Sequence, residues 1–317
     1  MSIIQRRADS GARSGKYVAV VYMSKQFFST DYGLSFTEKK YNFTYLPVAV
    51  AISEDMGDVF VLTHGMTNNI YVSRDSFDTT NIIKPNTLFD NVLGMDITKN
   101  GEMMCVLGDT YERTIDIPNG TLLQNILNES FKARKIAVSA NGKLKVVAGE
   151  YSILGSNDNP KVWNISIPID SPSTKNQFYD MVMSGDGRCI FYSYVSGSED
   201  YNGLFRLHSS DGFTTRERIS VAGINNYYVP IQICVSYTGK HILLKYSSQG
   251  TYISHDFGRS FTKLVDLSDA SQFAMSSNGK YIYCINGAAL YRSADYGNTF
   301  SLALSGVHSA YKLAISK

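Results

Sequence analysis

Residues 136–148 read IAVSANGKLKVVA, an apolar stretch closed by the hydroxyl of Ser139, a polar turn carrying Gly142, and a second apolar stretch. β-Branched residues on both sides of an Asn-Gly turn are the mark of a β-hairpin. The pattern recurs in MVMSGDGRCIFYS from Met181, ICVSYTGKHILLK from Ile233 and FAMSSNGKYIYCI from Phe273. Looser copies are VAVAISEDMGDVFVL from Val48 and MDITKNGEMMCVL from Met95. The hydroxyl residues Ser53, Thr98, Ser139, Ser184, Ser236 and Ser276 are separated by 45, 41, 45, 52 and 40 residues, and a further 40 reach Ser316. Recurrence at such a spacing marks a repeat architecture.

Ser316 stands one residue from the end of the chain, so the second strand of its hairpin has to come from elsewhere. SGKYVAVVY from Ser14 supplies it, because Gly15-Lys16-Tyr17 aligns on Gly279-Lys280-Tyr281. The seventh unit is then split, with its first strand at Leu313–Ser316 and the remainder at about residues 16–39. Such a split ties the two chain ends together and removes the open sheet edges of a linear array. The expected fold is all-β: a seven-bladed β-propeller of four-stranded antiparallel blades, closed by the C-terminal strand pairing with N-terminal strands. It spans residues 16–317 as one domain, with residues 1–15 as a flexible arm carrying Arg6, Arg7 and Arg13. A length prior of roughly 150 residues per domain, which suggests two domains, yields to the repeat.

Composition narrows the function. Lys and Arg total 30 against 28 Asp and Glu, a net charge of +2 that is too small to funnel nucleic acid or anionic lipid. With 44% hydrophobic residues the chain buries a substantial core. No apolar run approaches the roughly 20 residues that cross a bilayer, and the start lacks a secretory apolar run, so neither membrane insertion nor Sec export is expected. Cys105, Cys189, Cys234 and Cys284 have no C-x-x-C spacing and sit in strand-like segments, which reads as buried free thiols.

A second motif closes the last hairpin of several units. Residues 29–36 (STDYGLSF), 254–261 (SHDFGRSF) and 293–300 (SADYGNTF) all fit S-x-D-x-G-x-[ST]-F. Ser29, Asp31 and Gly33, Ser254, Asp256 and Gly258, and Ser293, Asp295 and Gly297 are structural by this reading: Ser and Asp bond backbone N–H groups of the turn, and Gly takes a positive φ. Ser73-Arg74-Asp75 and residues 209–213 (SSDGF) are eroded copies. On these residues the chain resembles the Asp-box, or BNR, repeat propellers, which include sialidases, sortilin-type receptors, photosystem assembly factors and bacteriophage virion proteins. The resemblance covers nearly the whole chain from about Tyr17 and implies the fold; in that family the boxes lie away from the active face.

The turns after the first and third strands of a blade share one face, and both motifs occupy it. The opposite face is built from variable loops, where binding resides on a rigid scaffold. Residues 150–161 and 195–203 are counted among these loops. Candidate binding residues are Tyr41, Tyr45, Tyr111, Arg113, Tyr151, Asp158, Glu199, Asp200, Tyr201, Asn225, Asn226, Tyr227 and Tyr228. Tyr and Asn combine apolar area at low entropic cost with adaptable hydrogen bonds, which suits a protein or a sugar.

The catalytic readings lack their parts. The sialidase site of the family needs an arginine cluster, an R-I-P motif and a Tyr, Glu and Asp set; no R-I-P occurs, Phe205-Arg206-Leu207 falls inside a third strand, and Arg113 and Arg134 are the only arginines that pair up on the loop face. A glycosidase needs two opposed carboxylates, for which Glu112, Asp158, Glu199 and Asp200 are the available groups. The five histidines are dispersed, and no P-loop, dinucleotide or elbow motif is present, so no cofactor and no metal are expected. The expectation is a non-catalytic structural or binding module. The resemblance narrows it to stand-alone propellers of bacteriophage virions, assembled in the host cytoplasm, with other virion proteins as partners through the arm and a host-surface glycan or protein on the loop face. A glycan-binding or glycan-hydrolysing propeller and a cytoplasmic assembly factor are the alternatives.

Overall fold

A computed structural model describes residues 14–54, 57–64, 69–83, 92–118, 121–127, 131–157, 163–169, 177–196, 202–267, 270–308 and 311–316 of the chain. Seven four-stranded antiparallel sheets are present, one per repeat. Blade 1 holds β1 (Val18–Val21), β2 (Gln26–Ser29) and β3 (Thr37–Lys39); blade 2 holds β4 (Leu46–Ile52), β5 (Val59–His64), β6 (Ile70–Ser73) and β7 (Asn81–Ile83). Blade 3 is β8 (Val92–Ile97), β9 (Met103–Gly108), β10 (Tyr111–Asp116) and β11 (Thr121–Ile126), and blade 4 is β12 (Lys135–Val138), β13 (Leu144–Ala148), β14 (Ser152–Asn157) and β15 (Ile165–Pro168). Blade 5 is β16 (Gln177–Met183), β17 (Cys189–Val195), β18 (Gly203–His208) and β19 (Glu217–Ile219), and blade 6 is β20 (Pro230–Val235), β21 (Ile242–Tyr246), β22 (Gly250–Ser254) and β23 (Thr262–Leu264). Blade 7 is β24 (Ala270–Met275), β25 (Ile282–Asn286), β26 (Ala289–Ser293) and β27 (Ser301–Ser305), and β28 (Lys312–Ile315) returns to blade 1.

β28 pairs with β1 in the register Val18 to Ile315, Ala19 to Ala314, Val20 to Leu313 and Val21 to Lys312, so the ring closes as the split repeat requires. The inner strands β28, β4, β8, β12, β16, β20 and β24 each pack on the next around a central channel. Seven apolar clusters fill the seven spaces between consecutive blades. In β1, Val18 and Val20 face blade 7 and Ala19 and Val21 face blade 2. Because both faces of a blade are covered, its middle strands read as continuous apolar runs and not as an alternation. The four cysteines are free thiols, each within a strand, and burial pushes Cys234 and Cys284 up to about 12.

The hydroxyl markers do the same job in all seven blades. Ser53, Thr98, Ser139, Ser184, Ser236, Ser276 and Ser316 are buried, and each hydroxyl accepts from the backbone N–H that opens the second strand, at 2.9–3.2 Å. The residues that follow them carry a backbone belt from blade to blade. Glu54 N–H donates to Lys99 C=O, Lys99 to Ala140, Ala140 to Gly185, Asp186 to Tyr237 and Tyr237 to Ser277. Ser14 completes the step from blade 7 to blade 1 by accepting from Asn278 N–H, and Gly15 N–H donates to Ser316 C=O. Ser14 and Gly15, expected in the arm, are therefore built into the ring, and residues 1–13 lie outside the described residues.

The three full boxes share one geometry. Gly33, Gly258 and Gly297 N–H donate to the box serine at 2.8–2.9 Å, and the Asp accepts from the backbone N–H and the hydroxyl of Ser35, Ser260 or Thr299. Phe36, Phe261 and Phe300 pack into the interblade clusters. The Ser73 copy is intact despite its sequence: Phe77 N–H donates to Ser73 at 2.8 Å, and Thr79 N–H to Asp75 at 2.8 Å. Phe77 occupies the glycine position at φ 69°, a left-handed conformation that its packing against Phe28 offsets. The copy at residues 209–213 differs, because β18 runs on to His208 and the turn becomes a short 3-10 helix, Ser209–Asp211.

Replacing Ser184 by Ala leaves the buried Cys189 N–H without its acceptor, which costs about 1–3 kcal/mol. Urea unfolding measures it against Ser305→Ala, an exposed position where the change stays within about 0.5 kcal/mol. Equal midpoints for the two variants would remove the proposed role of the hydroxyl.

Candidate functional site

The turn face is knitted together by its own hydrogen bonds. Between blades, Arg292 and Tyr283 of blade 7 hold the Tyr32 carbonyl of the blade 1 box, and Arg206 of blade 5 holds the Phe257 carbonyl of the blade 6 box at 2.7 Å. Tyr32 stacks on Tyr281 and Tyr296 on His241, each with ring centroids 4.9 Å apart. The box carboxylates carry the electrostatics of hairpins. Burial opposes ionisation of Asp31, yet the Ser35 hydrogen bonds outweigh it and hold the acid at about 2. The Ser260 hydroxyl and N–H do the same for Asp256, also at about 2.

The loop face is different. Its connections carry exposed apolar side chains: Tyr227, 60% exposed, Tyr228 and Tyr151 in loops, and Leu46, Leu93 and Ile231 at the starts of inner strands. The Tyr227-Tyr228 pair is set by Asn225, whose side chain accepts from Tyr227 N–H at 3.0 Å and whose carbonyl accepts from Tyr228 N–H at 2.9 Å. Asn226 beside them is half-buried. Five inner strands carry a β-bulge at one position, between Pro47 and Ala49, Val92 and Gly94, Phe178 and Asp180, Pro230 and Gln232, and Ala270 and Gln272. The extra residue of each is Val48, Leu93, Tyr179, Ile231 or Ser271, five residues before the hydroxyl marker, so the bulges ring the channel mouth.

Other expected binding residues fall elsewhere. Tyr111 and Arg113 lie in β10 and are buried, the guanidinium 4.5 Å from the Tyr111 ring centroid, so neither is presented on the loop face. Tyr41 and Tyr45 are half-buried; Tyr41 packs on Phe43 and Tyr71, with its backbone clamped by the Gln26 amide. β14 extends to Asn157, so the connection that follows joins third and fourth strands and belongs to the turn face, not to a loop at 150–161. Asp158, Glu199, Asp200 and Tyr201 lie outside the described residues.

Of the expected catalytic groups, those within the described residues are committed to structure. Glu112 is fully buried between blades 3 and 4, 2.8 Å from Lys145 Nζ and accepting from Thr114 Oγ1 at 2.7 Å. Arg134 donates to Glu150 at 2.6 Å and Lys132 to its other oxygen at 3.0 Å; these bonds outweigh burial and hold Glu150 below the ordinary carboxylate range. Arg206 pairs with Glu217. Among the described residues no three of His, Cys, Asp and Glu converge as a metal site requires, and no helix is long and apolar enough to cross a membrane.

The chain matches no protein-family model and no curated protein sequence. Among solved structures it is similar to Kuenenia stuttgartiensis hydrazine synthase, with 16% identity and a TM-score of 0.58 over 90% of this chain and 93% of that one. A functionally unknown protein from Desulfotomaculum acetoxidans gives 14% identity and a TM-score of 0.67 over 95% and 100%. YCF48 bound to D1 peptide gives 10% and 0.61 over 93% and 89%. What these chains share is the propeller. At such identities the likeness extends to the fold alone.

Stability should fall in two acid windows. His241 and His255 approach Nδ1 to Nδ1 at 2.9 Å, and burial followed by the facing His255 lowers His241 from 6.5 to about 4. The unfolded chain binds that proton first, so stability falls as pH drops from 6.5 towards 4. Asp31 and Asp256, lowered from 3.8 to about 2, contribute stability above 3.8 that is lost as pH falls towards 2. Chemical denaturation across pH should show both slopes, with the upper one reduced in His241→Gln to the share of His255, which burial also lowers, and the lower one kept. An unchanged upper slope in that variant would contradict the assignment.

Proposed function

We propose that this chain is a non-catalytic binding and assembly module that docks a partner protein on its loop face. The observation that carries it is the set of side chains that the loop face presents to solvent, Leu46, Leu93, Tyr151, Tyr227, Tyr228 and Ile231; the turn face exposes Leu34, Tyr237, Phe257 and Tyr296 too, but there the box carbonyls and carboxylates are engaged in hydrogen bonds within and between blades. Solvent-facing aromatic and aliphatic side chains on a rigid rim are the composition of a protein-binding patch. The burial of Glu112 and Arg113 removes two groups that a hydrolytic reading relied on. That YCF48, a chain of similar fold, is bound to a D1 peptide supports the use of such a propeller as a peptide platform.

The narrower setting is a bacteriophage virion, where the module joins neighbouring structural proteins or meets a host surface. It draws on the resemblance of the three S-x-D-x-G-x-[ST]-F turns to the Asp-box propellers of virions, and on four boxes, counting Ser73 to Thr79, being formed in full.

Mass spectrometry of purified particles from the source culture should find the chain in stoichiometric amount; a particle-free chain ends the virion setting. Cross-linking then identifies the partner within the particle. Tyr227→Ala combined with Ile231→Asp should weaken its binding at least about tenfold without altering the melting temperature. Undiminished binding would move the interface off the loop face, and turnover of an oligosaccharide panel would restore the enzymatic alternative.

A further inference from the structure

Two seams of the turn face are clamped from the same place in the blade, the third-strand residue that stands across from the seventh residue past the hydroxyl marker. In blade 7 it is Arg292, across from Tyr283, and in blade 5 it is Arg206, across from Phe191. Each guanidinium reaches the next blade and donates to the carbonyl that follows the box Asp, that of Tyr32 or Phe257. In blade 4 that place, across from Val146, is held by Gly155. The carbonyl it would meet belongs to Gly212, which follows Asp211 as Tyr32 follows Asp31 and takes the same left-handed φ, 68° against 61°. Among the described residues no side chain of blade 4 bonds the Gly212 carbonyl, and a Cβ built on Gly212 meets nothing within 4 Å.

The unclamped seam opens into two adjoining cavities of about 440 and 480 Å³ that share Asn164, Ile165, Gly212 and Phe213. The first carries Lys143 and Arg188, from the hydroxyl turns of blades 4 and 5, together with Asn141 and Asn157. The second follows the whole of β15, from Ile165 to Pro168, and includes Arg216. Lys143 and Arg188 are exposed, and the Arg216 guanidinium lies 4.8 Å from the Phe205 ring centroid. Among the described residues Asp186 is the one carboxylate of the lining. It accepts from Ser184 Oγ at 2.7 Å and Arg188 N–H at 3.0 Å, and lies 3.9 Å from the Arg188 guanidinium. Three cations against one carboxylate that is already engaged favour a negatively charged ligand.

The edge of β15 decides its class. Ile169 N–H donates to Tyr151 C=O at 2.8 Å, and the alternation of an antiparallel ladder carries that pairing to Ile167 and Ile165. The N–H and C=O of Ser166 therefore point away from β14, to the free edge along the second cavity. Pro168 has no N–H, so a strand added to this edge bonds at Ser166 and runs on past Asn164 towards Lys143 and Arg188. A backbone donor and acceptor on a strand edge select an extended peptide over a sugar or a small anion.

We propose that the groove between blades 4 and 5 takes an extended acidic segment of a partner protein, added as a strand to β15, with its carboxylates paired to Lys143, Arg188 and Arg216. This is a second interface, on the turn face, and it does not depend on the loop-face reading.

Fluorescence anisotropy of the full chain with the labelled heptapeptide Glu-Val-Glu-Val-Glu-Val-Glu tests it, because the alternation puts every carboxylate on one side of an extended strand. Saturable binding is expected. The peptide with Gln for Glu, and the acidic peptide N-methylated along its backbone, should each bind at least about tenfold more weakly. Lys143→Gln combined with Arg188→Gln should weaken the acidic peptide as much and leave the melting temperature unchanged, since both side chains are exposed. Tyr227→Ala combined with Ile231→Asp should leave its affinity at the parent value; an equal loss there would place the peptide on the loop face and overturn the groove. The proposal is also overturned if the parent does not bind the acidic peptide, if the Gln peptide binds as well, or if the Lys143 and Arg188 variant keeps full affinity. Undiminished binding of the N-methylated peptide, or binding of a sulfated disaccharide in place of the peptide, would overturn it too, by removing strand addition.

Discussion

The pairing of β28 with β1 is the constraint on which every other contact depends. Each blade is apolar on both faces, so it is stable only with a neighbour on each side, and a linear array would leave two such faces and two sheet edges in water. Blade 1 resolves this by drawing one strand from the C-terminus and three from the N-terminus, which brings Ala314 and Ala19 into one interblade cluster and Val18 and Ile315 into another. Loss of that single pairing would expose the clusters on both sides of blade 1 at once. Closure and core formation are therefore one event, which explains why Ser316, almost at the chain end, carries the same buried hydroxyl hydrogen bond as its six counterparts.

Closure also divides the two faces by role. The hydroxyl turns, the belt from Glu54 to Ser14 and the boxes lie together, and their short side chains saturate the backbone groups of tight turns. Such groups are costly to leave unpaired when buried, so this face tolerates little variation. The connections of the other face emerge from strands that are already fixed and carry no shared task. Tyr151, Tyr227 and Tyr228 stand in solvent there, whereas other loop-face residues are tied down singly, Tyr41 by the Gln26 amide and Glu150 by Lys132 and Arg134.

What was legible in the sequence follows from how local each interaction is. The hydroxyl of Ser139 bonds an N–H five residues away and the box Asp bonds its own turn, so both are written in short strings and both appear as expected. The split repeat was legible because Gly15-Lys16-Tyr17 copies Gly279-Lys280-Tyr281. Strand ends set by pairing were not: Ser152 to Asn157 has the Ser, Gly and Asn of a loop, yet it is held by β13 and β15 on both sides. Tyr111 and Arg113 looked like loop residues because the connection before them, Asp109-Thr110, is so short that β10 begins at once. The Ser73 box escaped recognition as a full copy because Phe77 replaces the glycine, although backbone hydrogen bonds and not residue identity define the turn.

The ring of residues four positions before the hydroxyl markers, in blade order Lys312, Ala49, Gly94, Lys135, Asp180, Gln232 and Gln272, was the least legible feature, since its meaning lies in comparison between blades. A Gln or Asp in an apolar strand looks like a lapse in patterning until Gln232 is seen to grip both backbone groups of Phe273 on the next blade. These grips, with those of Lys135 on Asp180, Asp180 on Ile233 and Gln272 on Tyr311, run unbroken from blade 4 to blade 1 and replace the channel-edge hydrogen bonds that inner strands, unpaired on that side, lack. They cease at Lys312, the one member with donors and no acceptor opposite. At Lys312, Ala49 and Gly94 the grips are absent, and those three steps rest on the apolar clusters between the blades.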